Sequence, residues 1–147
     1  MRPKYKQGVF KPLNPSKYHG STPIIYRSGL ELQYFRFFDK NPAILTWSSE
    51  SIIVPYYNPL TGRTHRYFVD NSVTMRDKTG TIKKYLVEIK PHSKLVPPSP
   101  SNRRSPKNTA MLQREYVQNK AKWLAASEWS RKHGYQFIII TEKHMIS

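Results

Sequence analysis

Apolar positions recur along this chain with two different periods, and the points where the period changes divide it into elements. Leu30, Tyr34, Phe35 and Phe38 fall at helical spacing, so residues 29–39 are expected to form a short amphipathic helix. Ser28 stands at the N-cap position, Glu31 follows three residues later as in a capping box, and Asn41-Pro42 ends the segment. The period then shortens. Residues 44–57 are rich in strand formers, with Ile52, Ile53, Val54, Tyr56 and Tyr57 leading into the turn Asn58-Pro59-Leu60-Thr61-Gly62. A second strand is expected over 64–74, with Tyr67, Phe68, Val69 and Val73, and a third over 82–89, with Tyr85, Leu86 and Val87. Asp77-Lys78-Thr79-Gly80 joins these two as a hairpin turn, which makes the three strands an antiparallel meander.

Residues 91–108 lose both periods. Pro97, Pro98, Pro100 and Pro106 stand among serines and basic residues, the composition of a mobile loop. Residues 109–133 return to helical spacing, with Leu112, Tyr116, Val117, Ala121, Trp123, Leu124 and Ala125 as the expected apolar side and Gly134 as the stop. The continuous apolar run of residues 135–141 (Phe137, Ile138, Ile139, Ile140) has the character of a strand buried on both faces. Ahead of all this, Pro3, Pro12, Pro15 and Pro23 make residues 1–27 an expected extended arm. The expected order is αβββαβ, an α/β (α+β) class with a mixed central sheet flanked by helices. One domain spans 28–147, preceded by the basic arm at 1–27 and carrying a mobile basic loop at 91–108. A chain of 147 residues suits one domain with one principal core.

Charge narrows the partners. Lys plus Arg is 25 against 9 for Asp plus Glu, a net charge of +16, which attracts polyanions such as DNA, RNA, acidic proteins or anionic membrane. No basic amphipathic helix or lipidation motif supports a membrane partner. No apolar run is long enough for a transmembrane helix, and the basic start of the chain is not followed by the apolar stretch of a secretory signal. The absence of cysteine excludes disulfides, thiolate-held zinc, iron–sulfur clusters and thiol catalysis. Residues 1–30 and 89–114 each hold six basic residues and no acid, a distribution suited to following phosphates. On charge alone, ribosomal-type RNA binding competes with DNA binding.

With so few acids, the position of each is informative. Asp70 lies in Arg66-Tyr67-Phe68-Val69-Asp70, and Glu88 lies in Leu86-Val87-Glu88-Ile89-Lys90. Carboxylates are poor strand residues and are costly to bury unless paired or metal-bound. A turn centred near residues 78–79 sets Asp70 almost opposite Glu88, and two like charges so placed repel unless a divalent cation lies between them. The alternative is that both face solvent and pair with Arg66, Lys83 or Lys84. Lys90 follows Glu88 by two positions and shares its strand face. There its ammonium can hold a water or stabilise charge developing on a phosphate. Glu31 is explained by the capping box alone, yet it also lies on the helix face shared with Phe35 and Phe38. The histidines (19, 65, 92, 133 and 144) show no metal-ligand spacing.

A helical Glu, an Asp at a strand end, Glu-x-Lys one hairpin later, then a helix and a strand: this order resembles the PD-(D/E)xK nuclease superfamily. Within it, the chain looks like the transposon-type endonucleases and the head completion nucleases of T4-like phages. The likeness rests on Ser28-Gly29-Leu30-Glu31, Trp47 with Glu50, Ile53-Val54-Pro55-Tyr56, Arg66 to Asp70, Val87-Glu88-Ile89-Lys90-Pro91, Asn119 to Trp123 and Ile138 to Glu142. Val69 replaces the proline of the motif, and Asn71 stands where these nucleases usually carry an aromatic or aliphatic residue. The resemblance implies a restriction-endonuclease-like core over 28–147 and a magnesium-dependent DNA endonuclease, with Mn²⁺ able to substitute. It implies Glu31, Asp70, Glu88 and Lys90 as catalytic residues. Asp70, Glu88, the Ile89 carbonyl and Glu31 would hold the metal through oxygen. Double-stranded DNA would be met by Lys94, Arg103, Arg104, Lys107, Gln113 and Lys120. In the head completion role it would act on packaged DNA ends beside phage head or portal proteins, assembling in the host cytoplasm and residing in the virion. The rival functions are a non-catalytic DNA-end-binding plug of the head, and a transposase-type or junction-resolving subunit.

Overall fold

The computed structural model describes residues 7–101 and 103–144; Arg2, Lys4 and Lys6 of the basic N-terminal stretch lie outside the described residues. Ser28 is extended and its Oγ accepts the Glu31 N–H at 3.1 Å, which starts helix α1 (Gly29–Lys40). The helix buries Tyr34, Phe35 and Phe38. These rings gather with Phe10 and Tyr18 around Trp47, whose ring centroid lies 5.2 Å from that of Phe35, 5.6 Å from Phe38 and 4.9 Å from Tyr18. Tilted and edge-on packing of this kind fills a core that the modest aliphatic content could not.

The sheet has four strands in the order β3 (Ile44–Ser49), β6 (Asn71–Arg76), β7 (Ile82–Ile89) and β8 (Gln136–Ile140). β3–β6 and β6–β7 are antiparallel; β7–β8 is parallel, joined by the long helix α2 (Pro106–His133) as a crossover. The sheet is therefore mixed and flanked by helices, as expected. Alternation gives it two apolar sides. Val73, Tyr85, Val87, Ile89, Ile138 and Ile140 pack with the α1 aromatics, whereas Leu86 and Phe137 pack with Val54, Tyr56, Tyr67, Val69 and Ala126. The second side is covered by α2 and by a separate antiparallel ribbon, β4 (Ile53–Asn58) with β5 (Arg63–Phe68).

Several boundaries differ from expectation. The expected strand 44–57 is two strands, β3 and β4, and 64–74 is likewise β5 and β6. Each breaks where the chain passes between the sheet and the ribbon. The two breaks are stitched together: Glu50 N–H donates to the Asp70 carbonyl at 3.0 Å, and Val69 N–H to that of Ile52 at 3.1 Å. α2 starts at Pro106 rather than residue 109, because Ser105 accepts the Asn108 N–H and proline suits the first helical turn. Its buried residues are Thr109, Asn119, Trp123, Ala126 and Ser130. Val117 and Leu124, placed on its apolar side by the sequence pattern, are exposed. β8 is an edge strand with half-buried residues, not one enclosed on both faces.

Residues 8–26 do not form a free arm. β1 (Gly8–Phe10) pairs antiparallel with β2 (Ile24–Tyr26), and Phe10 and Ile24 enter the aromatic core. Asp39, 1% exposed, fastens the segment: its carboxylate accepts the Leu13 N–H at 2.8 Å and the Asn14 N–H at 3.0 Å. The proline-rich composition that suggested an arm concealed these apolar anchors.

Candidate active site

The hairpin between β6 and β7 brings the expected residues together. Its register pairs Asn71 with Val87, so the next pair outward is Asp70 with Glu88. Asp70 is not inside a strand; it occupies the gap between β5 and β6, where its carbonyl accepts the Glu50 N–H. Its Oδ2 accepts the Ile89 N–H at 2.8 Å. Glu88 is 4% exposed and points to the same side of the sheet as Tyr67, whose hydroxyl donates to Glu88 Oε1. Lys90 lies on that side as well, with Nζ 3.7 Å from Glu88 Oε2. The parallel ladder continues past Glu88, as Lys90 N–H donates to the Ile140 carbonyl at 3.0 Å, and this keeps the two side chains in line.

The environment of Asp70 disfavours its charged form. Burial and then the charge of Glu88 push the Asp70 carboxyl well above the ordinary aspartate range, against the Ile89 N–H and Lys90, which pull it down. Glu31 stands close enough to contribute to that rise. Its own carboxyl is raised, by burial first; the Arg27 N–H and guanidinium oppose the rise, and the charges of Glu50 and Glu88 add to it. Only half of the expected capping box forms: Ser28 Oγ accepts the Glu31 N–H, while Glu31 Oε1 reaches past the cap to accept the Arg27 N–H at 3.1 Å. Burial, with the adjacent Glu88, also raises the Tyr67 hydroxyl, which therefore stays a proton donor to Glu88.

Among the described residues no three His, Cys, Asp or Glu side chains form a ready-made metal cage. What the hairpin offers is two carboxylates whose repulsion a cation would relieve, with Glu31 within electrostatic reach. An oxygen-only donor set of this kind fits a hard divalent ion that keeps several waters.

The expected DNA contacts are more scattered. Lys94 pairs with Glu115 at 2.8 Å, and Arg104 Nη1 donates to the Ser99 carbonyl at 2.8 Å. Both line a cavity of about 270 Å³ between α2 and the stretch of Ser93, Val96, Pro97 and Pro98. Arg103, Lys107, Gln113 and Lys120 are exposed. The helix side chains that reach the ribbon tyrosines are different ones. Lys122 Nζ lies 5.5 Å from the Tyr67 ring centroid, and Gln118 Nε2 donates to the Tyr56 hydroxyl at 2.9 Å. Their spacing of four residues beside buried Asn119 and Trp123 was the available signal. Tyr67 was visible only as a strand residue, because nothing local reveals a partner in a different sheet. His92 contributes its backbone, donating to Glu142 Oε1 at 2.9 Å and holding that carboxyl below its ordinary value.

The family model for the N-terminal domain of TnsA-like endonucleases matches residues 41–142. The chain belongs to this family. Its TnsA-like match spans Asp70, Glu88 and Lys90 and begins after α1. A head completion nuclease of Enterobacteria phage T4 is 36% identical over 139 residues, which cover 92% of this chain and 90% of that protein. No solved structure matches the chain. TnsA-like endonucleases are of the PD-(D/E)xK kind, and the mixed sheet with flanking helices is that fold.

Proposed function

We propose that this nuclease is a divalent-metal-dependent DNA endonuclease, using Mg²⁺ and able to use Mn²⁺, that acts on packaged DNA ends during completion of a phage head. The observation that carries the catalytic reading is the buried Glu88 facing Asp70, with the Lys90 ammonium 3.7 Å from Glu88. Asp70, Glu88 and the Ile89 carbonyl would hold the ion, with Glu31 as a further oxygen ligand directly or through water. Bound there, the ion would supply a nucleophilic hydroxide at neutral pH and neutralise charge on the phosphate. The chain's own groups do the positioning. Ile89 N–H and Tyr67 O–H each fix one carboxylate oxygen. Lys90 orients the attacking water in line with the scissile bond and balances charge as it develops. The head completion role is supported by the relative's likeness over nearly all of both chains.

Lys94, Arg103, Arg104, Lys107, Gln113 and Lys120 are proposed to follow the DNA backbone, with head or portal proteins as further partners in the virion. Binding would then be salt-dependent and largely independent of base sequence. Neutralising Arg103, Arg104 and Lys107 together should flatten the slope of log K against log salt by up to about 2.7, from about three phosphate contacts. An unchanged slope would remove this loop from the interface.

Supercoiled plasmid incubated with the protein in Mg²⁺ and in EDTA tests the catalytic reading. Nicking in Mg²⁺ alone is expected. A gel-mobility shift without nicking in any divalent metal would instead leave a DNA-end-binding plug.

A further inference from the structure

Glu50 is the one described non-glycine residue with a left-handed backbone, at φ 54°. It stands where the chain leaves β3 for the ribbon. A side chain at such φ meets a steric penalty that glycine avoids. If the turn required only its backbone path, glycine would serve it better, so the contacts of the glutamate side chain need their own explanation. That carboxylate pairs with the guanidinium of Arg27. Arg27, through its backbone N–H, holds Glu31 Oε1 at 3.1 Å. Glu50, through its backbone N–H, holds the Asp70 carbonyl at 3.0 Å. One left-handed residue thus links the segment carrying Asp70 to the start of the helix carrying Glu31.

We propose that Arg27 and Glu50 form a positioning pair that fixes the Glu31 carboxylate relative to the segment carrying Asp70. The proposal rests on the metal-dependent nuclease reading and assigns a role to residues outside the acidic pair and its lysine. Both side chains are partly exposed, 50% for Arg27 and 37% for Glu50, and a surface ion pair of that kind ordinarily contributes little to stability. Its significance here is geometric. Arg27 lies one residue before the Ser28 cap, so anchoring its guanidinium anchors the donor that orients Glu31. Groups that orient a ligand in this way typically matter by 10- to 100-fold in affinity or rate. Arg27 also offsets the charge of Glu50 felt at Glu31.

Four variants of the full chain test the pair: Glu50→Gly, Arg27→Ala, the double variant and Arg27→Lys. Nicking kinetics, melting temperature and Mn²⁺ binding by calorimetry without DNA are the readouts. Glu50→Gly should melt at or above wild type, because its backbone suits glycine, while kcat falls and Mn²⁺ binding weakens, each by about tenfold. KM for DNA should stay within about twofold. Arg27→Ala should match it, the double variant should be no worse than the worse single, and Arg27→Lys should recover part of the loss. Wild-type kcat in Glu50→Gly, or losses that multiply in the double variant, would overturn the pair. A raised KM with unchanged kcat in Arg27→Ala would make Arg27 a DNA contact and likewise overturn it. If wild type itself does not nick DNA in Mg²⁺ or Mn²⁺, the nuclease reading falls and the pair's role falls with it; an active wild type with unaffected variants defeats the pair alone.

Discussion

Asp39 and Asp70 are two inward-facing aspartates in very different company. Asp39 is sealed at 1% exposure; two backbone amides donate to its carboxylate, and its own carbonyl accepts the Asn14 side chain and the Lys17 ammonium. Asp70 has one backbone N–H on its carboxylate and faces Glu88. The first is a completed structural joint between α1 and the N-terminal segment. The second sets two carboxylates against each other with the Lys90 ammonium 3.7 Å from Glu88. Burial therefore does not separate structure from function in this molecule; the balance of donors against negative charge does.

Loss of either facing carboxylate carries the largest expected effect. Asp70→Asn or Glu88→Gln should lower Mg²⁺-dependent nicking by more than about a hundredfold, beyond the effect typical of groups that merely orient ligands. Melting in EDTA should be no lower than wild type. Asp39→Ala should show the opposite pattern. It leaves the Leu13 and Asn14 amides without their acceptor and should cost roughly 1.5–3 kcal/mol of stability in denaturant melts, with nicking per folded molecule retained. A large loss of specific activity in Asp39→Ala would merge the two classes.

A smaller effect sharpens the contrast through pH. Because the Asp70 carboxyl is raised by burial and Glu88, the folded protein keeps a proton there after the unfolded chain has released it. Stability in EDTA should therefore fall as pH rises from the ordinary aspartate range toward the raised value. Asp70→Asn should lack that decline, so its melting temperature gains on wild type across the window and matches it at low pH. The smallest effect is at the hairpin tip. Asp77 accepts from Thr79 and Thr81 and is held down at about 2. Its contribution is present above the ordinary aspartate range and is lost as pH falls through about 2. Asp77→Ala should flatten that acid limb slightly, and identical acid melts would show that the tip contributes nothing.

Much of this was legible because the Asp77–Gly80 turn sets the register of β6 and β7, and register alone brings Asp70, Glu88 and Lys90 together. The Ser28 cap likewise placed Glu31 in the first turn of α1. The breaks at Glu50 and Asp70 were hidden because strand formers continue across them, while the switch of pairing partner from sheet to ribbon is a tertiary event. The inner face of α2 was misjudged for a related reason. Val117 and Leu124 look apolar in the pattern, but the helix packs by Trp123, Ala126 and small polar residues, and this brings Lys122 rather than Lys120 toward Tyr67.

Under the proposed function, Asp70 and Glu88 would together hold a catalytic divalent ion. Crystals of the full chain soaked in Mn²⁺ and measured at the manganese absorption edge test it most directly. An anomalous peak in contact with both carboxylates, absent in Asp70→Asn crystals, is the expected result. Manganese bound elsewhere, or no bound manganese in crystals of a protein that nicks DNA in Mn²⁺, would contradict the account.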